Sequence, residues 1–104
     1  MLTLTDQNFL EELNKNKLPM IIDFWATWCG PCKIMSSVLS EIEKELEGKV
    51  VIAKIDVDHN PKLAEDYAVI SIPMLIFMRE GNTVARHTGL LTKKQLIEKI
   101  NTIL

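Results

Sequence analysis

The 104-residue sequence has few of the residues that metal, haem or nucleic-acid sites usually require. It contains two cysteines and two histidines, and 14 acidic side chains outnumber 12 basic ones. Because no basic stripe is present, the chain is not expected to bind nucleic acid. The longest apolar runs, such as "MLIFM" at 74–78, are far too short to span a bilayer, so no membrane partner is expected.

The start of the chain lacks the basic segment and the apolar core of a signal peptide. We therefore expect a cytoplasmic protein, in a compartment where thiols are normally kept reduced. No repeat, low-complexity stretch or linker interrupts residues 1–104, which predicts a single domain. With 47% hydrophobic and 25% charged residues, the chain can bury a core without disulfides or a structural metal.

A βαβ unit is predicted in the first half of the chain. Residues 20–26 and 50–57 are β-branched and mostly apolar, as strands buried on both faces should be. Between them, an apolar stripe at helical spacing predicts a long helix. The members of the stripe are Ile34, Met35, Val38, Leu39, Ile42 and Leu46. Gly48 can end this helix in a left-handed conformation.

Further elements are predicted on both sides of this unit. A strand at about residues 2–4 precedes a helix that begins near Thr5 or Asp6. The apolar residues expected to face inward from that helix are Phe9, Leu10 and Leu13. After the second long strand, a short helix is indicated where Asn60 can cap the N-terminus and Pro61 suits the first turn.

The end of the chain predicts a hairpin and a last helix. Gly81 and Asn82 lie between two strand-like segments, which indicates a hairpin with glycine at the turn. Thr92 and Gln95 form a capping-box pattern at the start of the last helix. The resulting order βαβαβαββα predicts an α/β fold, in which helices cover both faces of a mixed sheet.

Both cysteines lie in the segment "DFWATWCGPCK", residues 23–33, between a strand and the long helix. In open sheets of this kind, functional sites lie beyond the carboxyl ends of the strands. Zinc would need further ligands at recognisable spacing, and haem attachment would need a histidine directly after Cys32, where Lys33 stands. A structural disulfide closing so short a loop would contribute only about 2 kcal/mol.

Reversible thiol chemistry accounts for the spacing of Cys29 and Cys32 better than these alternatives. A thiolate must attack a substrate disulfide, and a second thiol must then release the product. Cys29 is expected at the exposed start of the helix, and Cys32 one turn further along the same face. Gly30 allows close approach of a partner backbone, and Pro31 fits the first helical turn.

The helix N-terminus assigns the roles of the two thiols. An ordinary cysteine is only about 3% thiolate at pH 7, and the positive end of a helix dipole favours the anion by roughly 0.3–1 kcal/mol. Because this effect is strongest on the first cysteine, we predict Cys29 as the nucleophile and Cys32 as the resolving thiol. Asp23 interrupts a buried strand, and we predict that it accepts the proton of Cys32. Lys54 on the neighbouring strand can moderate the Asp23 pKa; a structural Asp23 and a solvated Lys54 are the alternatives.

The motif "WCGPC" after "DFWAT", followed by "AKIDVDHNP", "SIP" and "TGLLTKKQL", resembles the thioredoxin family over essentially the whole chain. The resemblance implies the thioredoxin fold, a five-stranded mixed sheet in the order 1-3-2-4-5 with four helices. It implies a monomeric electron carrier that reduces protein disulfides without a bound cofactor or metal. Its implied partners are disulfide-containing client proteins and thioredoxin reductase, an NADPH-dependent flavoprotein that restores the dithiol.

Residue by residue, the resemblance implies Cys29, Cys32, Asp23 and Lys54 as the catalytic set. It implies a cis bond between Ile72 and Pro73 and a substrate groove around it. The implied groove residues are Trp28, Gly30, Pro31, Val57, Ser71, Ile72, Pro73, Gly89 and Leu90. The alternative for these residues is ordinary packing.

The sequence departs from the family pattern at two positions. Ser37 stands where most members have a helix-kinking proline, and Met74 stands where they usually have threonine. Met74 is expected to affect access, reduction potential or partner choice. Two other functions compete with the reductant: a binding module that uses the same groove without redox chemistry, and an oxidase or isomerase that works in the opposite direction.

Overall fold

The computed structural model describes residues 1–103, which form a five-stranded mixed sheet with helices on both faces. The elements in chain order are β1 (Leu2–Thr3), α1 (Phe9–Lys15), β2 (Met20–Trp25), α2 (Gly30–Glu45), β3 (Val51–Asp56), α3 (Pro61–Asp66), β4 (Met74–Arg79), β5 (Asn82–Thr88) and α4 (Lys93–Ile103). The strand order β1-β3-β2-β4-β5 confirms the predicted fold. Among the described residues, no helix combines the length and apolar character needed to cross a membrane.

Strand β2 lies at the centre of the sheet. It pairs in parallel with β3 and antiparallel with β4. Residues 20–24 are all buried, because helices cover the sheet on both sides. One face packs against α1 and α3 through Phe9 and Leu63, and the other packs against α2 and α4 through Leu39 and Leu96. The cysteine segment therefore directly follows the end of a buried central strand.

Two predicted core positions are wrong. Leu10 is 74% exposed and Ile34 is 58% exposed. A helix turns about 100° per residue, so the buried face passes through Phe9 on α1 and through Met35 on α2. Leu10 follows Phe9 by one position and Ile34 precedes Met35 by one position, so both side chains are rotated away from the core.

The hairpin turn lies one residue earlier than predicted. Arg79 and Asn82 pair across the end of β4 and β5, so Glu80 and Gly81 are the two turn residues. Both have positive φ, 53° for Glu80 and 79° for Gly81. A two-residue hairpin with φ positive at both positions matches the twist of the strands, and glycine supplies the second position without steric cost.

Helix α4 begins as predicted. The Gln95 N–H donates to Thr92 Oγ1 at 3.1 Å, and the Thr92 N–H donates to Gln95 Oε1 at 3.0 Å. These two reciprocal bonds satisfy donors that the first turn of a helix otherwise leaves without partners.

Helix α3 is capped by a residue that the sequence did not indicate. Asn60 makes no capping bond; its side chain instead joins the Asp6 N–H to the Asp56 carbonyl. The Asp6 carboxylate accepts from the Leu63 N–H at 2.9 Å and from the Lys62 N–H at 3.3 Å. An N-terminal residue therefore holds the start of α3 through a contact between distant parts of the chain.

Asp6→Ala is expected to lower the free energy of unfolding by about 1–2 kcal/mol, because it removes this cap. Urea unfolding of the oxidised protein measures the effect. Glu98→Ala, which removes an exposed carboxylate from α4, serves as the matched control and should stay within about 0.5 kcal/mol of the parent. Equal unfolding midpoints for Asp6→Ala and the parent would contradict the capping role.

Candidate active site

Cys29 occupies the N-cap position of α2, and Cys32 lies in its first turn. The backbone of Cys29 is extended, with φ −91° and ψ 107°, and its Sγ accepts from the Cys32 N–H at 3.2 Å. Pro31 lies between them in the first turn, where a missing N–H leaves no helical bond unmade. The two Cα atoms are 5.3 Å apart, and the sulfurs are joined as a disulfide. The predicted reach between the two thiols is therefore confirmed.

Cys29 is less exposed than its position at a helix start suggested. The residue exposes 5% of its surface and Cys32 exposes 2%. Both pack with Ala26, and the side chains of Val57 and Ile72 cover this small cluster. Residues outside the helix, from the end of β3 and from the loop before β4, therefore limit the exposure of the disulfide.

The loop before β4 brings Ile72 and Pro73 to the disulfide. The bond between them is cis, and the Ile72 carbonyl oxygen lies 3.9 Å from Cys29 Sγ. The Gly89 N–H donates to the Pro73 carbonyl at 2.8 Å, which ties the end of β5 to the same loop. Val57, Ile72, Pro73 and Gly89 are thus brought together near the cysteines.

Asp23 is a buried carboxyl at the centre of the sheet. The residue is 2% exposed, and Lys54 on β3 is its partner in the strand register. Burial raises the pKa of Asp23 from 3.8 to about 7, while the nearby charge of Lys54 opposes the rise. Asp23, Cys32 and Lys54 line one cavity of about 230 Å³. The arrangement places a carboxyl that titrates near neutral pH on the same cavity as the second sulfur.

Lys54 also contacts Trp25. Its Nζ lies 5.5 Å from the centre of the Trp25 ring, within the range of a cation–π interaction. This contact holds the ammonium group at the wall of the cavity, on the strand directly beside Asp23. The position of the charge that lowers the Asp23 pKa is therefore fixed by packing as well as by strand register.

The chain matches the family model described as Thioredoxin over residues 1–102. The chain belongs to the thioredoxin family. It is 43% identical to a Rickettsia typhi protein named Thioredoxin over 97 residues, which cover 93% of this chain and 92% of that protein. It is 40% identical to a Mycobacterium tuberculosis protein of the same name over 99 residues, which cover 95% and 85%.

A third relative in the family combines two activities in its name. It is a Mycobacterium leprae protein named Bifunctional thioredoxin reductase/thioredoxin, 39% identical over 99 residues. The match covers 95% of this chain and 22% of that protein. This chain therefore resembles one part of a longer polypeptide there.

A hydrogen-bond network around Trp28 was missed by the sequence reasoning. Trp28 is 70% exposed, and its indole N–H donates to Asp58 Oδ2 at 2.9 Å. The Asp58 N–H donates to Asp56 Oδ1, and His59 Nδ1 lies 2.9 Å from Asp56 Oδ2. The spacing Asp-x-Asp after a strand could have indicated the local turn, but no local signal indicates its pairing with Trp28.

Two other predicted groove residues, Ser71 and Leu90, lie at the surface. Ser71 is exposed, and Leu90 is 46% exposed with its carbonyl 3.3 Å from His87 Nε2. Neither belongs to the cluster that surrounds the cysteines. Within residues 1–103, no three His, Cys, Asp or Glu side chains are grouped so that they could hold a metal ion.

The two departures from the family pattern have different structural settings. Ser37 lies on the exposed side of α2, which runs unbroken through it, and its Oγ donates to the Lys33 carbonyl at 3.3 Å. Met74 is 1% exposed and forms part of the core between β2 and α3. Ser37 is therefore a surface residue of α2, whereas Met74 is buried and directly follows the cis-proline.

Proposed function

We propose that this protein is a general protein-disulfide reductase that acts by reversible dithiol–disulfide exchange. The observation that carries the proposal is the Cys29–Cys32 disulfide at the N-terminus of α2, in a chain that belongs to the thioredoxin family. The electrons are carried by the two sulfurs, so the reaction requires no bound cofactor. One domain spanning residues 1–104 performs it.

Exchange begins with the dithiol form. The Cys29 thiolate attacks one sulfur of a client disulfide, the client S–S bond breaks, and the departing client sulfur takes up a proton. The Cys32 thiolate then attacks Cys29 Sγ and displaces the second client thiol. The client gains two electrons, and the Cys29–Cys32 pair loses them. The Cys32 N–H, which lies 3.2 Å from Cys29 Sγ, and the helix dipole favour negative charge on that sulfur.

Asp23 supplies the base for the second step. Its raised pKa, about 7, lets it accept the Cys32 proton at neutral pH and release it afterwards. Asp23 and Cys32 line the same cavity, and the proton is proposed to pass between them across it. Lys54 keeps the pKa of Asp23 from rising further.

Lys54→Gln is expected to shift the pH dependence of mixed-disulfide resolution to higher pH. Removing the ammonium charge raises the Asp23 pKa, so the base becomes active only at higher pH. Stopped-flow rates between pH 5.5 and 9 measure the shift, and Asp23→Asn should flatten the profile. Lys33→Gln, which removes another lysine from the same cavity wall, is the control. A profile that Lys54→Gln and Asp23→Asn leave unchanged would remove both residues from the mechanism.

Client proteins are proposed to bind as extended segments across the cis-proline loop. The backbone of Ile72 pairs with such a segment beside Cys29, and an exposed Trp28 covers its other side. The residues proposed to contact clients are Trp28, Gly30, Pro31, Val57, Ser71, Ile72, Pro73, Gly89 and Leu90.

The proposed electron donor is thioredoxin reductase, an NADPH-dependent flavoprotein. The Mycobacterium leprae relative, whose name joins the two activities, supports this pairing. A reductant of this kind works where thiols are kept reduced, so we place it in the cytoplasm. We propose that it acts as a monomer, as the family resemblance implies.

Insulin reduction with a dithiol donor, together with the reduction potential of the Cys29–Cys32 pair, tests the proposal. We expect catalytic turnover and a potential more reducing than the glutathione pool. A more oxidising potential would favour an oxidase or isomerase. Binding of clients without turnover would favour a redox-independent binding module.

A further inference from the structure

Arg86 on β5 contacts both ends of the loop that precedes β4. One guanidinium nitrogen, Nη2, lies 2.9 Å from Met74 Sδ and 3.4 Å from the Ala68 carbonyl oxygen. Ala68 comes just after α3, and Met74 is the first residue of β4. A single side chain therefore links the two flanks of residues 68–73, which we call the Ile72 loop.

The register of the hairpin explains this reach. Arg86 pairs with Ile76 on β4, and Met74 lies two residues from Ile76 along the same strand. Residues two apart on a strand share a face, and diagonal neighbours across two strands are within reach of a long side chain. Arg86 thus lies on the same side of the sheet as α3, on the edge strand β5, and its exposed side chain reaches the segment that follows that helix.

The Ile72 loop has few backbone hydrogen bonds of its own between its two ends. Ala68 has a positive φ of 51°, and its N–H and that of Val69 donate to carbonyls of α3 at 3.0 and 2.9 Å. Within residues 1–103, the backbone at 70–72 makes no hydrogen bond to another backbone group. Ile70 is 94% exposed and adds no packing. The position of the middle of the loop is therefore set by the packing of Ile72 on the cysteine cluster, by the Gly89–Pro73 bond, and by the contacts of Ala68 and Met74 at its two ends.

We propose that Arg86 is a positioning residue that fixes the Ile72 loop for client binding. The proposal rests on the proposed function and deepens it. The loop presents the Ile72 carbonyl 3.9 Å from Cys29 Sγ, so its position sets where a client backbone meets the nucleophile. Arg86 acts through Ala68 and Met74 and touches no reacting atom. Met74, a departure from the family pattern, gains a role as the thioether acceptor of this contact.

Steady-state kinetics of two substrates test the proposal. Insulin is expected to pair with the loop, whereas the small aromatic disulfide 5,5′-dithiobis(2-nitrobenzoate) reaches Cys29 without such pairing. Arg86→Ala should raise the insulin KM about 3–10-fold, the effect of losing one exposed hydrogen bond of ordinary strength, with kcat within about twofold. The rate with the small disulfide should not change. Arg86→Lys should restore part of the insulin KM, because an ammonium group still donates.

Arg79→Ala is the matched control, because Arg79 also donates from its guanidinium to a backbone carbonyl, that of Ile103. It should leave both substrates unaffected. Met74→Leu, which keeps the volume and removes the thioether acceptor, should shift the insulin KM in the same direction as Arg86→Ala. An unchanged insulin KM in Arg86→Ala, or an equal loss with both substrates, would overturn the proposal.

Amide exchange provides a measurement that does not depend on activity. The Gly89 N–H donates to Pro73 and the Val69 N–H donates to Ala64, so both report on the placement of the loop. Both should exchange faster in Arg86→Ala, and unchanged rates would show that Arg86 does not hold the loop. If the parent protein reduces neither disulfide, the proposed function fails, whereas the exchange rates still decide the contact. If the parent protein reduces both disulfides and Arg86→Ala has the same insulin KM as the parent, only the role of Arg86 fails.

Discussion

Cys29→Ser is expected to abolish disulfide reduction, with a loss of about 10³-fold or more. Serine cannot form a mixed disulfide, and its hydroxyl does not ionise near neutral pH, so the first step has no nucleophile. Insulin reduction with a dithiol donor measures the loss. Turnover equal to that of the parent would show that Cys29 is not the attacking residue.

Cys32→Ser should fail at a different step. Cys29 can still attack, but no thiol remains to release the product, so client proteins should accumulate as mixed disulfides. Non-reducing electrophoresis of a lysate passed over each variant reveals them. Cys29→Ser is the matched control, because it also removes one sulfur and opens the same disulfide. Trapping by Cys29→Ser instead of Cys32→Ser would reverse the assigned roles.

The elements of the fold that were predictable are those whose sequence pattern lies within one continuous segment. Apolar β-branched runs predicted the buried strands β2 and β3, and the spacing of Thr92 and Gln95 predicted the start of α4. The hairpin turn was misplaced by one residue because its location depends on the pairing of Arg79 with Asn82. The cap of α3 by Asp6 joins distant segments, and no local pattern indicates it.

The same division holds at the candidate active site. The spacing of the cysteines and the helix after them predicted a pair within bonding reach, and adjacent strands predicted that Asp23 and Lys54 are neighbours. The burial of Cys29 depends on Val57 and on the Ile72 loop, which come from distant parts of the chain. The bond between Trp28 and Asp58 likewise needs the folded structure. The cysteine pair and the neighbouring Asp23 and Lys54 were thus predictable from the sequence, whereas the contacts that other segments make around them were not.

Asp23→Asn is expected to stabilise the protein at high pH and to have little effect at pH 4. In the folded state the Asp23 pKa is raised from 3.8 to about 7. Between these values the folded protein holds a proton that the unfolded chain has released, so the free energy of unfolding falls as pH rises. At about 1.4 kcal/mol per pH unit, this penalty, the free energy of unfolding lost because of Asp23, reaches about 4 kcal/mol above pH 7. Asparagine, which does not titrate, avoids it.

Urea unfolding of the oxidised forms at pH 4, 6 and 8 measures this difference. Asp66→Asn, which removes an exposed carboxylate at the end of α3, controls for the loss of one negative charge. Its free energy of unfolding should not rise relative to that of the parent as pH increases. A penalty of this size is a large fraction of the 5–15 kcal/mol typical of whole domains. A residue retained at such a cost to stability is expected where activity requires it. If Asp23→Asn and the parent keep the same difference at all three pH values, Asp23 does not titrate near neutrality and cannot be the base that receives the Cys32 proton.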